Sequence, residues 1–334
     1  MAKRAKAAAK RSQAAPKLPK VSPCELVTLL DFVRYATSRF NEAKLTFAHG
    51  TTDPVAEAAF LVCETLHLHP DQFDAFATAR VAAHEARLIL DLIARRVSSG
   101  KPAAYLVNKI YMRGLPFYVD ERVIVPRSFI GELLDSHFGG GDGEGPWLIE
   151  DTSAVENVLD LCTGSSCLAI LASRVFPNAQ IDAVDISRGA LEVAARNVAD
   201  FGLEDRVMLH RGDLYAPLAD KRYDLIIANP PYVDAAGMAG LPRECRAEPK
   251  LAFDGGADGL DIVRRILDKA RRHLTAEGGL LCEIGRCRKA LELAYPRAEF
   301  LWLDTEDSAG ANRRRGSLKG CARCRGAQCR RLWS

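Results

Sequence analysis

The chain has 334 residues, 48% apolar and 27% charged, the composition of an ordinary soluble globular protein, and its length suggests two domains. No run of 18 apolar residues occurs, which excludes a membrane-spanning helix. Of its 46 Lys and Arg, seven lie in residues 1–20 and eight in residues 311–334, stretches without an Asp or Glu; the body between holds 31 bases against 43 acids. An acidic body is a poor surface for duplex nucleic acid and suits a basic protein partner, so nucleic acid is expected to meet the chain only incidentally, through its tails.

Residues 1–21 include "MAKRAKAAAKRSQAAPKLPK", which has no apolar core of the secretory kind; a cytoplasmic location without a membrane partner is the expectation. The segment reads as a disordered solubilising tail or a weak RNA-binding arm. Residues 22–100 read as a small helical domain. In "ELVTLLDFVRYATSRF", Leu26, Leu30, Val33 and Phe40 recur at helical spacing. Asp53 before Pro54 is a helix start, the cap residue first and proline at the first helical position. "HEARLILDLIARRVSSG" makes a third helix, closed by Gly100. His67 and His69 stand two apart on the second helix, hence on different faces, which suits packing or surface roles better than metal ligation. Residues 101–130 form a linker in which the alternation of "FYVDERVIV" and the break at Gly114–Pro116 predict a β-hairpin.

From 131 to 310 the pattern alternates between β and α. Apolar runs at "NVLDLC" (157–162), "QIDAVDI" (180–186), "RVMLHRGDL" (206–214), "YDLIIA" (223–228) and "GLLCEIG" (279–285) are separated by helical segments, one of them capped by Ser187. Short apolar strands alternating with helices predict an α/β fold with a parallel sheet covered on both faces, whose ligands bind at the carboxyl ends of the strands. Of ten cysteines, the seven in the body are scattered as reduced cytosolic thiols usually are, and Cys321, Cys324 and Cys329 of the tail lack the fourth ligand of a zinc site, so no metal is expected.

The strand tips carry the chemistry. "DLCTGSSCLAI" turns from strand to helix through Asp160, Cys162, Thr163, Gly164, Ser165 and Ser166, offering backbone N–H groups to a ligand, although small-residue turns are also common without one. Asp185, followed by Ile186, stands where a carboxylate meets a ribose hydroxyl pair, and Asp213 with Leu214 stands at the next rim, where an acid can accept from an adenine amine. The fourth strand ends in Asn229, Pro230, Pro231 and Tyr232. Hydride transfer is disfavoured because the glycine fingerprint is missing and nicotinamide chemistry has no use for this corner. Methyl transfer has one. The Asn229 side-chain oxygen and the Pro230 carbonyl can accept both hydrogens of a planar NH2 group, turning its delocalised lone pair toward an in-line methyl, while Tyr232 packs on the plane.

These residues resemble the HemK-type protein glutamine methyltransferases. The segment 102–134, with its "VPRS-x-IGEL" form, resembles the branch that modifies a ribosomal protein, and "NPPYVD", "EPKLAFDGGADGLDIVRRIL" and "FLWLDTEDSAG" extend the likeness over about residues 22–310. The resemblance implies a Rossmann-like class I methyltransferase domain and S-adenosylmethionine as cofactor. It also implies a glutamine side-chain amide of the third large-subunit ribosomal protein as substrate, free or within an assembly intermediate. On that reading residues 160–166, Asp185, Ile186, Asp213, Leu214 and Asn229 hold the cofactor, Asn229 to Tyr232 hold the glutamine, and residues 22–100 recognise the substrate. Glu248 belongs to a loop near the active site, either as a participant or in a structural salt bridge, and Arg127 anchors the linker or closes over the cofactor. Two departures stand out. Ser166 occupies the place of the family's last turn glycine, at a cost of about 1–2 kcal/mol if its φ is positive. After Gly310 the expected apolar strand gives way to "ANRRRGSLKGCARCRGAQCRRLWS", which reads like a shifted frame and predicts a missing seventh strand and an exposed sheet edge. Two rival functions keep the same motifs: an amino-methyltransferase of DNA or RNA, and a non-catalytic ribosome-assembly factor.

Overall fold

A computed structural model describes residues 25–48, 53–139, 148–303 and 321–325. It divides into two units, the first ending at Val107 and the second running from Asn108. No helix among the described residues is long and apolar enough to cross a membrane.

The first unit is helical: α1 (Leu29–Glu42), α2 (Pro54–Thr65), α3 (Phe73–Phe76), α4 (Ala83–Ser99) and α5 (Ala103–Val107). Asp53 caps α2 as expected, its Oδ1 accepting from the N–H groups of Val55 and Ala56. The apolar face of α1 is Leu29, Phe32, Val33, Tyr35, Ala36 and Phe40; Leu30, expected inward, is 51% exposed. His67 and His69 lie beyond the end of α2, where His69 caps a 3₁₀ turn, so they share no helix. One charged pair sits inside this unit. Arg96, fully buried, donates from Nε to Glu57 Oε1 at 2.7 Å and from Nη2 to the Thr46 carbonyl at 3.1 Å.

The hairpin belongs to the second unit, and it lies earlier than expected. Its strands are β1 (Ile110–Met112) and β2 (Leu115–Phe117), joined by Arg113 and Gly114 at φ +50° and +75°. Two successive positive-φ residues make the turn whose twist matches a hairpin. The alternation in "VDERVIV" comes from burial of Val119, Val123 and Val125 in an irregular segment, so period two alone misplaced the strand.

A seven-stranded sheet follows, built from β3 (Asn157–Leu161), β4 (Gln180–Asp185), β5 (Val207–Arg211), β6 (Tyr223–Ala228), β7 (Leu274–Glu283), β8 (Leu301–Leu303) and β9 (Cys321–Arg325). Helices α6 (Ile130–Ser136), α7 (Cys167–Val175), α8 (Arg188–Asp200), α9 (Ala235–Ala239), α10 (Asp261–Ala270) and α11 (Arg288–Ala294) accompany it. The order is β5-β4-β3-β6-β7-β9-β8, parallel through β7, with β9 antiparallel to both neighbours. Leu159, Leu161, Ile226 and Ala228 are fully buried, as strands covered on both faces require. Strand β9 corrects the expectation of a missing seventh strand. Residues 321–325 pair with β7 from Glu283↔Cys321 to Gly279↔Arg325 and with β8 from Leu303↔Cys321 to Leu301↔Arg323. A backbone ladder on both sides outweighs a composition poor in strand formers. Residues 1–24, 304–320 and 326–334 lie outside the described residues, and with them the tail readings.

Candidate active site

Register sets the site. Val184 pairs with Leu161, Leu161 with Ala228, and Ala228 with Cys282, so these four residues stand level on adjacent strands. The next residue on each strand is Asp185, Cys162, Asn229 and Glu283. At about 4.8 Å per strand, Asp185 and Asn229 stand on the order of 10 Å apart along one rim. The ladder stops there because Pro230 and Pro231 have no N–H to continue it.

The turn after β3 is strained and heavily tied. Cys162, Gly164 and Ser166 take φ of +58°, +57° and +62°. Ser166 therefore sits in the conformation that glycine adopts freely, and its strain of about 1–2 kcal/mol is carried by its surroundings. It is fully buried, and its Oγ stands 3.3 Å from Thr163 Oγ1, to which it can donate. Thr163 N–H donates to the Val184 carbonyl at 3.0 Å. Asp185 closes the turn, Oδ2 accepting from Gly164 N–H at 2.9 Å and Oδ1 from Ser187 N–H at 2.8 Å. Burial nevertheless pushes its carboxyl up, against those backbone hydrogen bonds.

Asp160 is fully buried. Its Oδ2 accepts from Thr163 Oγ1 at 2.5 Å and Ala169 N–H at 3.2 Å, while Oδ1, also buried, has no partner. Burial pushes this carboxyl up to about 7, the hydrogen bonds from Thr163 and Ala169 opposing. The sign follows directly: between about pH 4 and pH 7 the folded chain holds a proton that the unfolded chain has released, so stability falls as pH rises. Urea denaturation should show the wild type losing about 2–3 kcal/mol relative to Asp160→Asn between about pH 5 and pH 8. Parallel pH curves for the two proteins would refute it. The thiol of Cys162 is pushed far up, first by burial and then by Asp185, Asp160, Cys282 and Asp213, so three carboxylates act on one point of the rim.

Of the other expected cofactor positions, Ile186 is 51% exposed beside Asp185, and Leu214 is buried at φ +53°. Asp213 is half exposed, and Arg265 of α10 donates to its Oδ2 at 2.6 Å. An exposed pair of this kind is worth about 1 kcal/mol or less and yields readily to a ligand.

At the fourth tip, Asn229 Nδ2 donates to the Arg127 carbonyl at 3.2 Å. A carbonyl can only accept, so this contact fixes the amide with Nδ2 toward Arg127 and Oδ1 on the other side. The Tyr232 hydroxyl donates to Glu283 Oε1 at 2.7 Å. Its ring lies against Gly285, where a Cβ would stand 2.6 Å from Cδ2 and Cε2, so no other residue fits there. Glu248, buried, accepts from Val125 N–H at 2.9 Å and meets Arg127 Nη2 at 3.4 Å, and the Arg127 guanidinium stands 5.4 Å from the Phe253 ring centre. Glu248 is thus in a structural salt bridge, and Arg127 anchors the linker. Glu283 and Ser128 were not singled out from the sequence. The available signal was an acid closing the buried, apolar end of a strand, which demands partners.

A mostly parallel seven-stranded sheet with one antiparallel strand, and a tight acidic turn after its first parallel strand, define a Rossmann-like class I methyltransferase. Residues 147–240 match the family described as Methyltransferase small domain. A ribosomal protein uL3 glutamine methyltransferase of Bradyrhizobium diazoefficiens is 75% identical over 300 residues, covering 90% of this chain and 94% of its own. That of Bordetella pertussis is 52% identical over 85% of this chain and 93% of its own. Among solved structures, a methyltransferase from Pyrococcus furiosus aligns with 74% of this chain and 99% of its own at 16% identity and a TM-score of 0.43. The chain belongs to the ribosomal protein uL3 glutamine methyltransferase family.

Proposed function

We propose that the chain methylates the side-chain amide nitrogen of a glutamine in ribosomal protein uL3, with S-adenosylmethionine as methyl donor. The relatives' shared name supports the substrate. The observation that carries the chemistry is the Asn229 amide at a proline-stopped strand tip, its NH2 side held by the Arg127 carbonyl and its oxygen therefore on the other side.

The cofactor's demands match the residues at hand. Bound S-adenosylmethionine supplies an electrophilic methyl on a cationic sulfur and carries an ammonium group. The unpartnered Oδ1 of Asp160 and the neighbouring acids Asp185 and Asp213 at the strand tips fit such a ligand. Residues 160–166 would hold its amino-acid end, Asp185 its ribose, and Ile186, Asp213 and Leu214 its base.

The chain's own residues then do the positioning. A glutamine amide is a poor nucleophile because its lone pair is spread into the carbonyl. Asn229 Oδ1 and the Pro230 carbonyl accept its two hydrogens and fix the nitrogen's orientation, so that the reacting atoms meet without a search. Tyr232, its hydroxyl held by Glu283, gives the planar group a wall of fixed direction. No strong base is required: once the nitrogen carries the new methyl it is strongly acidic, and its proton passes to solvent.

Incubation with labelled S-adenosylmethionine and ribosomal components from cells lacking the enzyme tests this. Label should enter uL3 as N-methylglutamine; label in RNA, or none in uL3, would overturn the assignment. Running free uL3 beside large-subunit precursors identifies which form is the substrate.

A further inference from the structure

Glu283 closes β7 as a carboxylate 2% exposed, and its partners come from two separate stretches of chain. Oε1 accepts from the Tyr232 hydroxyl at 2.7 Å, while Oε2 accepts from Ser128 Oγ at 2.7 Å and Phe129 N–H at 3.0 Å. One residue earlier, the Arg127 carbonyl takes the hydrogen bond from Asn229. The path therefore closes on itself: Asn229 to Arg127, along the chain through Ser128 to Phe129, across to Glu283, on to the Tyr232 hydroxyl, and back through Pro231 and Pro230 to Asn229. Two prolines stiffen one side of this ring, and a buried carboxyl that accepts from Tyr232, Ser128 and Phe129 holds the other.

We infer that Glu283 is a positioning residue for methyl transfer, aiming the Asn229 acceptor by tying the Asn-Pro-Pro-Tyr corner to the Arg127–Phe129 segment. The inference rests on the proposed amide methylation for its kinetic consequence, and on geometry alone for its structural one. Each limb is short and buried enough to transmit a shift. A displacement of about 1 Å at a reacting group costs on the order of 100-fold in rate. A buried carboxylate that merely stabilised the fold would change the amount of folded protein without changing the direction of the Asn229 amide.

Four variants decide it: Glu283→Ala, Glu283→Gln, Tyr232→Phe and Ser128→Ala. In protein labelled with nitrogen-15 at asparagine, the Asn229 side-chain NH2 resonance is assigned by its loss in Asn229→Asp. Glu283→Ala should shift that resonance and speed its hydrogen exchange at least tenfold, with kcat on uL3 down about 100-fold and cofactor Kd within threefold. Glu283→Gln can still accept from Ser128 and Phe129 while donating to the Tyr232 oxygen, and should retain kcat within about fivefold. Tyr232→Phe and Ser128→Ala cut single limbs; each should shift the resonance, and neither should worsen Glu283→Ala when combined with it. An unmoved resonance in folded Glu283→Ala, Tyr232→Phe and Ser128→Ala overturns the inference. So does strict additivity of the kinetic losses. If Glu283→Ala fails to fold, the two single-limb variants carry the test. Should the wild type transfer no methyl to uL3, the substrate assignment is at fault, and the resonance still decides the positioning.

Discussion

Asn229→Ala should lower single-turnover methyl transfer to uL3 by about 100- to 1,000-fold while leaving cofactor affinity within a few-fold of wild type. The magnitude is that of removing one preoriented hydrogen-bonding group from a site where charge moves. Orientation is the point, because the Arg127 carbonyl at 3.2 Å admits only the NH2 side of the amide. Asn229→Asp sharpens the test. It keeps oxygen acceptors but sets a carboxylate against the Arg127 carbonyl, so the group turns away and transfer should fall by at least tenfold although an acceptor is still present. Equal losses of cofactor binding and of transfer in both variants would remove the role assigned to Asn229.

The second large effect lies in the helical unit. Glu57→Ala should destabilise it by about 3–5 kcal/mol, seen as a lower urea midpoint, because the change takes the carboxylate and its two hydrogen bonds away from a buried guanidinium. Both side chains are essentially inaccessible, at 0% for Arg96 and 2% for Glu57, and Glu57 receives two hydrogen bonds from Arg96, at 2.7 and 3.2 Å. The double replacement Glu57→Leu with Arg96→Met removes both charges and should recover stability to within about 1–2 kcal/mol of wild type. If the double variant is as unstable as Glu57→Ala, packing and not the lost charge partner is the cause.

Where a strand or helix announces itself locally, the sequence alone carried the fold. The tips of β3, β4 and β6 were read to within a residue, because strands buried on both faces are written as short apolar runs with polar ends, whereas the run read as 206–214 overshoots the end of β5 at Arg211. The caps Asp53 and Ser187 were legible for the same reason, each being a side chain satisfying backbone N–H groups a few residues ahead. Long-range pairing was not legible. Strand β7 begins at Leu274, not at Gly279, because the ladder with β6 jumps from Tyr223↔Leu274 to Leu225↔Gly279 across an irregularity that no local pattern encodes. Leu30 looked core-facing by spacing, but the neighbouring Leu29, Phe32 and Val33 fill that face. The composition of residues 321–325 argues against a strand, yet two partners make one.

In the site, the sequence pointed to Asn229, Asp160 and Asp185, which are chemically conspicuous. It passed over Ser128 and Glu283, whose contacts join parts of the chain far apart in sequence, 155 positions for their own hydrogen bond.

Strand β9 has a consequence for how the molecule comes into being. Strand β8 is made before the only ladder partner it has among the described residues, and β7 keeps a bare edge until the same segment arrives. A polypeptide emerging from its amino end therefore spends its growth with a parallel edge available to any passing strand, a liability that chaperones exist to cover. The seam is sewn late, by residues whose arginines and cysteines announce nothing of the kind.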